Sequence, residues 1–206
     1  MNAQMNWIER EISPRLRTAL RQLPVVVVTG GRQVGKTSLS RHMWPEASYT
    51  TMDIPAFADR ARLEGNRFLS DLSVPAILDE IQYVPDLLRH LKIRVDARKT
   101  SGMYMITGSQ DFLLMQGITE SLAGRCAVFT LPQLSLRELV SAGILKKGQE
   151  DSFFWRGGYP ELWQRTDLDR VLWLGSYVTT YLERDVRNIL NEPHWMGRHL
   201  GEYRCG

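Results

Sequence analysis

The sequence is poor in the residues that mark disulfide-rich, metal-binding and membrane-spanning proteins. Its two cysteines, Cys126 and Cys205, are too few for the disulfide framework of a small secreted domain. His194 and His199 lie near Cys205, but no paired-cysteine or HExxH spacing supports a metal site there. No uninterrupted apolar run approaches the roughly 18 residues that a transmembrane helix requires.

Positively and negatively charged residues are present in nearly equal numbers. Lysine and arginine number 26 against 23 aspartates and glutamates, which gives a net charge of +3. This excess permits contact with nucleic acid or an acidic partner without demanding it. Basic clusters at 15–21 and 92–99 are typical of solvated helix faces, with nucleic-acid contact as the alternative. Because the amino terminus lacks the apolar core of a secretory signal, we expect a soluble cytoplasmic protein with reduced thiols and no membrane partner.

Short apolar runs alternate with helical patterns over much of the chain. Strands are predicted at 25–28 and in "ASYTTMDI", "VPAILDE", "GMYMITGSQ" and "CAVFTL". Helices are predicted between them, for example at 36–43 and in "PDLLRHLKIRVDA". Because parallel neighbours need crossover connections, this alternation predicts an α/β fold with a parallel β-sheet flanked by helices. From "LSLRELVSAG" onward the pattern is mostly helical, and 171–189 reads as one amphipathic helix.

The stretch "VVVVTGGRQVGKTSLSRHMW" contains a phosphate-binding motif. Its segment "GGRQVGKT" fits G-x-x-x-x-G-K-[ST], directly after an apolar strand and at the start of a helix. Glycines let the loop amides face phosphate oxygens, and the helix amino terminus adds partial positive charge. Lys36 is expected to reach the β and γ phosphates, and the Thr37 hydroxyl to bind Mg²⁺. The predicted cradle consists of Gly30, Gly31, Arg32, Gln33, Val34, Gly35, Lys36, Thr37 and Ser38.

An acidic pair follows another buried strand. In "AILDE", Asp79 and Glu80 come roughly forty residues after the P-loop, a spacing that leaves room for one strand between the two motifs. Asp79 is suited to the Mg²⁺ shell through water, and Glu80 can orient or deprotonate a water that attacks the γ phosphate. Alone, such a pair is more typical of a solvated strand end. After a P-loop it predicts hydrolysis of a nucleotide.

Two further segments are candidates for contact with the nucleotide. The strand "MYMITGSQ" ends in four small or polar residues, namely Thr107, Gly108, Ser109 and Gln110. Ser109 can sense the γ phosphate or the attacking water, and a helix cap is the equal alternative. Arg125 precedes the last core strand, where it can serve as an arginine finger for a neighbouring subunit or make a structural ion pair.

Together these motifs resemble a bacterial and archaeal family of AAA-type P-loop ATPases, in which an ATPase core precedes a C-terminal domain of unknown function. The resemblance covers 16–190 and is carried by "TGGRQVGKTSL", "LDEIQ", "ITGSQDFLLMQGITESLAGR", "LPQLSLREL", "GGYPEL" and "YLERDVRNI". It implies a three-layer P-loop NTPase core at 1–134, a partial helical lid-like region at 135–190, and ATP and Mg²⁺ as cofactors.

The resemblance also implies roles for individual residues. It places Lys36 and Glu80 in their usual ATPase roles, with Thr37 and Asp79 toward the metal, Ser109 as the sensor and Arg125 as a conceivable arginine finger. In related ATPases a proline in a Gly-x-Pro turn lies near the adenine. Pro160 in "GGYPEL" is therefore a candidate adenine contact.

The final segment departs from the family pattern. Members that look like this one continue well past the "ERDVRNI" helix, whereas "NEPHWMGRHLGEYRCG" at 191–206 is short, polar and without helical periodicity. We therefore expect an irregular tail in a truncated or frame-shifted member. A homo-oligomer, and a protein or DNA partner bound through the missing C-terminal domain, are left open.

These observations favour an ATP-binding, Mg²⁺-dependent NTPase that hydrolyses ATP to ADP and phosphate and so drives a conformational switch. One alternative is a small-molecule kinase, which shares the P-loop but needs an acceptor pocket and a basic lid, and neither has a distinct signature here. The other alternative is a nucleotide-binding interaction module with little turnover.

Overall fold

The structure is a computed structural model that describes residues 7–109 and 112–190, with the side chains of 112–116 and 181–190 left out. The predicted tail at 191–206 and the strand-end residue Gln110 lie outside the described residues. The chain divides into two compact units, Met1–Gln164 and Arg165–Gly206. The domain boundaries predicted after residues 134 and 190 stay predictions.

The first unit contains a five-stranded parallel sheet in the order β2-β3-β4-β1-β5. Val25 pairs with Tyr104 on one side and Cys126 on the other, so the amino ends of three neighbouring strands are aligned. Every residue of the first strand is buried, as its apolar run predicts for a parallel strand covered on both faces. The strands are β1 Val25–Thr29, β2 Ser48–Thr51, β3 Ala76–Asp79, β4 Tyr104–Thr107 and β5 Cys126–Thr130.

Helices connect the strands and continue after the sheet. A 3₁₀ turn at Ile81–Tyr83 follows β3 directly. The helices of the first unit are α1 Ser13–Gln22, α2 Lys36–Met43, α3 Pro55–Leu63, α4 Gly65–Asp71, α5 Leu87–Arg98, α6 Phe112–Leu122, α7 Leu136–Ser141, α8 Glu150–Arg156 and α9 Pro160–Gln164.

Alternate side chains of β1 divide the core into two layers. Val25 and Val27 belong to a cluster with residues of α3, α4, α5 and α6. Val26 and Val28 face the other way and pack with residues of α1 and α2. Each of these fully buried valines stabilises the fold by about 1.5–3 kcal/mol. The predicted three-layer α/β core is confirmed.

A third apolar cluster lies beyond the sheet. It joins Ile8, from the segment before α1, to Leu134, Leu139 and Leu145. Helix α7 begins with a capping box, in which the Ser135 side chain accepts from the Glu138 amide and the Glu138 side chain accepts from the Ser135 amide. The sequence "SLRE" carries this pattern, in which two free amides of a helix start are satisfied reciprocally.

The second unit contains α10, Arg170–Leu190, a 21-residue helix where the apolar periodicity predicts one. Trp173 stacks on Tyr177 one turn later, with ring centroids 5.5 Å apart. None of the helices in the described ranges is both long enough and apolar enough to cross a membrane.

Arg10 ties the segment before α1 to the rest of the first unit. Its side chain is 4% exposed and forms an ion pair with Glu138 at 3.0 Å. The two terminal nitrogens of its guanidinium donate to the main-chain oxygens of Val34 at 2.9 Å, Pro132 at 2.6 Å and Gln133 at 3.2 Å. One buried cation therefore links the loop after β1, the segment after β5 and helix α7.

Removing this cation should destabilise the fold. Arg10→Met leaves the Glu138 carboxylate buried without its cation, so we expect the free energy of unfolding to fall by about 3–5 kcal/mol. Arg17→Met is the matched control, because Arg17 pairs with Glu9 where both side chains are about half exposed, and it should cost less than about 1 kcal/mol. Urea unfolding measures both values. Equal losses would contradict a structural role for the buried pair.

Candidate functional site

Three strands end side by side at one edge of the sheet. β4 lies between β1 and β3, so its end at Thr107 separates the loop after Thr29 from Asp79 at the end of β3. The structure thus brings together the P-loop, the acidic pair and the segment that contains Ser109. Open parallel sheets bind their ligands at this carboxyl edge.

The P-loop needs glycine where it passes β5. Gly30 has a φ of 142°, and a Cβ there would lie 2.4 Å from the main-chain oxygen of Leu131. Gly35 has a φ of 95° and precedes the first residue of α2. Gln33 has a φ of 60°, which is uncommon for a residue with a side chain. These conformations let the loop turn tightly between β1 and α2.

Lys36 lies with its ammonium group inside the loop. The residue is 6% exposed, and Nζ donates to the main-chain oxygens of Gly30 at 3.0 Å and Gly31 at 2.8 Å. Burial lowers the pKa of Lys36, although the carboxylates of Glu80 and Asp79 act in the opposite direction. The ammonium group is therefore hydrogen-bonded to two loop carbonyls, and the carboxylates of Glu80 and Asp79 favour its charged form.

Asp79 receives hydrogen bonds from three hydroxyl groups. The Thr37 hydroxyl lies 3.0 Å from both carboxylate oxygens, and the Tyr49 hydroxyl donates to Oδ2 at 2.7 Å. Thr107 donates to Oδ1. Asp79 is 3% exposed, so these donors satisfy a carboxylate that has almost no contact with water. The end of β3 is thereby joined to the first turn of α2, to β2 and to β4.

Thr37 and Asp79 form an oxygen pair that fits Mg²⁺. Neighbouring ligands in an octahedral Mg²⁺ shell lie about 2.9 Å apart, given Mg–O distances of about 2.0–2.1 Å. The 3.0 Å between the Thr37 hydroxyl and the Asp79 carboxylate matches this separation. In the part of the chain that the structure describes, no group of three or more His, Cys, Asp or Glu side chains could hold a metal. Phosphate and water oxygens would therefore complete the shell, as is usual for Mg²⁺.

Tyr49 is a permanent donor to Asp79 at neutral pH. Burial and the hydrogen bond to the Asp79 carboxylate raise the pKa of Tyr49 to about 12. The guanidinium of Arg41, on α2, lies over the Tyr49 ring at 5.0 Å from its centroid. The hydroxyl therefore stays protonated and keeps the orientation of the carboxylate fixed.

Glu80 stands in an unusual backbone conformation. Its φ of 56° lies in the left-handed region, and its amide donates to the Thr107 hydroxyl at 3.3 Å. Its carboxylate accepts a hydrogen bond from the Gln82 side-chain amide. The oxygen of that same amide accepts from the main-chain N–H of Ser109 at 3.2 Å. Glu80 and Ser109 are therefore connected through one side chain, while the sensor role of the Ser109 hydroxyl stays a prediction.

Arg125 lies away from the P-loop of its own chain. Its main-chain oxygen accepts from Val25 at the amino end of β1, the edge opposite the loop. Its guanidinium forms an ion pair with Asp96 on α5, where one nitrogen lies 3.0 Å from Oδ2. The structure therefore does not bring Arg125 to the phosphate site of the same chain, and its action on a neighbouring subunit stays a prediction.

Pro160 is the first residue of α9. Tyr159, directly before it, packs against the core cluster that contains Val34 of the loop. The main-chain oxygen of Gly158 accepts from the Leu134 amide at 2.7 Å. The predicted adenine contact of Pro160 stays a prediction.

No spacing motif in the sequence marks Arg10, Tyr49 or Gln82. Arg10 is one of many arginines in the amino-terminal part of the chain, and Tyr49 occupies an ordinary strand. Gln82 lies within "LDEIQ", but nothing about that spacing indicates that it contacts both Glu80 and Ser109. Only the contacts across the sheet edge identify these side chains as parts of the site.

Comparison with known protein families shows which family the chain belongs to. A family model described as "AAA domain" matches residues 22–140, which is more than half of the chain. The chain belongs to the AAA domain family. A second model, a domain of unknown function (DUF8612), matches residues 149–196. Membership of the AAA family confirms the predicted family, and it supports nucleotide binding of the P-loop NTPase class in general.

Two uncharacterized mycobacterial proteins resemble this AAA domain protein. Mb2031c of Mycobacterium bovis and Rv2008c of Mycobacterium tuberculosis are each 37% identical to it over 182 residues. The match covers 87% of this chain but 40% of each relative. The chain therefore spans well under half the length of these curated relatives.

Solved structures of P-loop ATPases share the fold. The Walker-type ATPase PABY2304 of Pyrococcus abyssi gives a TM-score of 0.59 at 19% identity, covering 91% of this chain and 76% of that one. AMPPCP-bound DnaA from Aquifex aeolicus gives 0.53 at 14% identity, covering 88% and 68%. At these identities the likeness shows the fold, which agrees with the three-layer core.

Gly30 provides a test of the loop geometry. In Gly30→Ala the added carbon would lie 2.4 Å from the Leu131 oxygen, so the loop must shift. We expect ATP affinity, measured by titration calorimetry, to fall at least about tenfold, or about 1.4 kcal/mol. The control is Gly143→Ala, which shares a positive φ of 71° but meets nothing within 4 Å. It should lose about 1–2 kcal/mol of stability. If Gly143→Ala weakened ATP binding and Gly30→Ala did not, the contact of Gly30 with Leu131 would not be important for binding.

Proposed function

We propose that this protein is a Mg²⁺-dependent ATPase that hydrolyses ATP to ADP and phosphate and uses the reaction to drive a conformational switch. One observation carries the proposal. Lys36 and Thr37 of the P-loop lie at the same sheet edge as Asp79 and Glu80, with the Thr37 hydroxyl 3.0 Å from the Asp79 carboxylate. Family membership supports binding of a nucleotide, and this arrangement of side chains supports its hydrolysis.

Binding of the triphosphate rests on the loop and on Lys36. The loop amides and the amino terminus of α2 favour anionic oxygens. The Lys36 ammonium now donates to two neutral carbonyls, Gly30 and Gly31. Phosphate oxygens are stronger acceptors for an ammonium than carbonyls, because the hydrogen bond is then between opposite charges. The β and γ phosphates would therefore replace at least one of these carbonyls.

Thr37 and Asp79 would hold the metal that accompanies ATP. Bound there, Mg²⁺ would neutralise charge on the β and γ phosphate oxygens. Thr37 supplies its hydroxyl oxygen, and Asp79 supplies a carboxylate directly or through water. Tyr49 and Thr107 keep that carboxylate in place.

Glu80 is the proposed base for the attacking water. It would orient the water, whose oxygen bonds to the γ phosphorus while the bond from that phosphorus to the ADP oxygen breaks. The proton of the water passes to Glu80 and then to solvent or phosphate. Ser109, at the end of β4, would register the loss of the γ phosphate, and Pro160 would contact the adenine. These steps link hydrolysis to the movement of the strand ends.

Glu80→Gln separates binding from hydrolysis. The variant keeps the shape of the side chain but cannot accept a proton, so we expect turnover to fall by roughly 10²–10⁴-fold while ATP affinity stays unchanged. Release of phosphate measures turnover, and calorimetry measures affinity. Lys36→Ala should lose affinity as well, and Glu46→Gln, at an exposed position, should lose neither. Unchanged phosphate release in Glu80→Gln would show that Glu80 does not take part in the reaction. Formation of a phosphorylated acceptor would indicate a kinase.

Arg125 is proposed to act on ATP bound by a neighbouring chain in a homo-oligomer. Arg125→Ala should then lower turnover by roughly 10³-fold or more without changing ATP affinity. Mixing Arg125→Ala with Glu80→Gln should restore activity, because composite sites would pair an intact arginine with an intact glutamate. Asp96→Asn is the control, since it breaks the ion pair but keeps the arginine. Equal losses in Arg125→Ala and Asp96→Asn, with no recovery on mixing, would leave Arg125 a structural role.

A further inference from the structure

The Gln82 side chain connects the Glu80 carboxylate to the main chain that follows β4. Its nitrogen donates to Glu80 Oε2, and its oxygen accepts from the Ser109 N–H at 3.2 Å. Both the nitrogen and the oxygen of the amide therefore have hydrogen-bond partners. The partners also fix its orientation, because a carboxylate only accepts and an N–H only donates.

The backbone before Gln82 is arranged so that this bridge can form. Glu80 is left-handed at a φ of 56°, and the 3₁₀ turn Ile81–Tyr83 begins directly after it. Ile81 in that turn is fully buried in the core, which anchors the turn against the sheet. Gln82 thus returns toward Glu80 and toward the neighbouring strand. A left-handed residue with a side chain is a strained conformation, and such strain persists where surrounding contacts hold it.

We propose that Gln82 is a positioning residue for hydrolysis, which holds the Glu80 carboxylate in its working orientation and couples that orientation to the position of the Ser109 segment. The inference rests on the proposed role of Glu80 as base. The proposal gives Gln82 a role through Glu80 and no direct contact with the phosphates or the water. A shift of the Ser109 segment would alter its hydrogen bond to the Gln82 oxygen, and the same amide would transmit that change to the Glu80 carboxylate.

The bridge has a direct consequence for turnover. A carboxylate without its donor can rotate about its side-chain bonds, so the water would be oriented in a smaller fraction of molecules. Loss of one hydrogen bond to a charged group corresponds to roughly a 10- to 100-fold loss in the rate that depends on it. ATP affinity should not change, because the phosphates are held by the loop and Lys36.

Two variants of Gln82 test the bridge in the full chain. Gln82→Met keeps the length of the side chain and removes both hydrogen bonds, so kcat should fall roughly 10- to 100-fold with KM for ATP unchanged. Gln82→Glu replaces the donor with a second carboxylate beside Glu80, and it should lower kcat further. Gln22→Met, at an exposed position near the end of α1, is the matched control and should match the wild type.

A double-mutant cycle separates positioning from a merely structural role. In the Glu80→Gln background no base remains to be positioned, so Gln82→Met should cause no further loss of the residual turnover. A structural role would lower turnover by the same factor in both backgrounds. That result, or a wild-type kcat in Gln82→Met, would overturn the inference. Wild-type turnover in Glu80→Gln would instead remove Glu80 as the base, and with it the positioning role derived from it, while ATP hydrolysis itself would stand; absence of turnover in the wild type would overturn the proposed function.

Discussion

A single buried carboxylate organises the sheet edge. Asp79 is almost inaccessible to water, and an ionised group in that position must be fully hydrogen-bonded. Its three hydroxyl partners come from different parts of the chain: Thr37 from α2, Tyr49 from β2 and Thr107 from β4. Any displacement of one of these segments leaves the charge with fewer donors. The P-loop helix and two neighbouring strands are therefore held in one arrangement around β3.

The loop after β1 is held from the opposite side by packing and by a second buried charge. Gly30 lies against Leu131 so closely that a side chain cannot fit, and Arg10 donates to the main-chain oxygen of Val34. These contacts constrain the loop from its own chain. A constrained loop loses little freedom when it binds a ligand, which would favour affinity at the proposed phosphate site. The ion pair of Arg10 with Glu138 extends the same constraint to α7.

Local patterns were sufficient to predict the parallel sheet, its helices and the position of the glycine-rich loop between β1 and α2. The apolar run before Gly30 predicts a buried strand because every side chain of β1 meets a helix layer. The apolar run before the acidic pair predicts a buried strand in the same way, and Asp79 is the last residue of β3 with Glu80 directly after it. Arg10, Tyr49 and Gln82 could not be predicted in this way, because their roles depend on partners that the fold supplies. Arg125 shows the same limit: the sequence allowed a finger or an ion pair, and within one chain the fold pairs it with Asp96.

By itself, the amino-acid sequence determined which segments become strands, where a glycine-rich loop leads into a helix and which acids end a strand. These features depend on residues close together in the chain, through periodicity, glycine conformations and charge. Only the tertiary structure decided which hydroxyls satisfy Asp79, which amide holds Glu80 and which cation stabilises the loop. Those contacts join residues that are mostly far apart in the chain, and their distances follow from the order of strands in the sheet rather than from spacing.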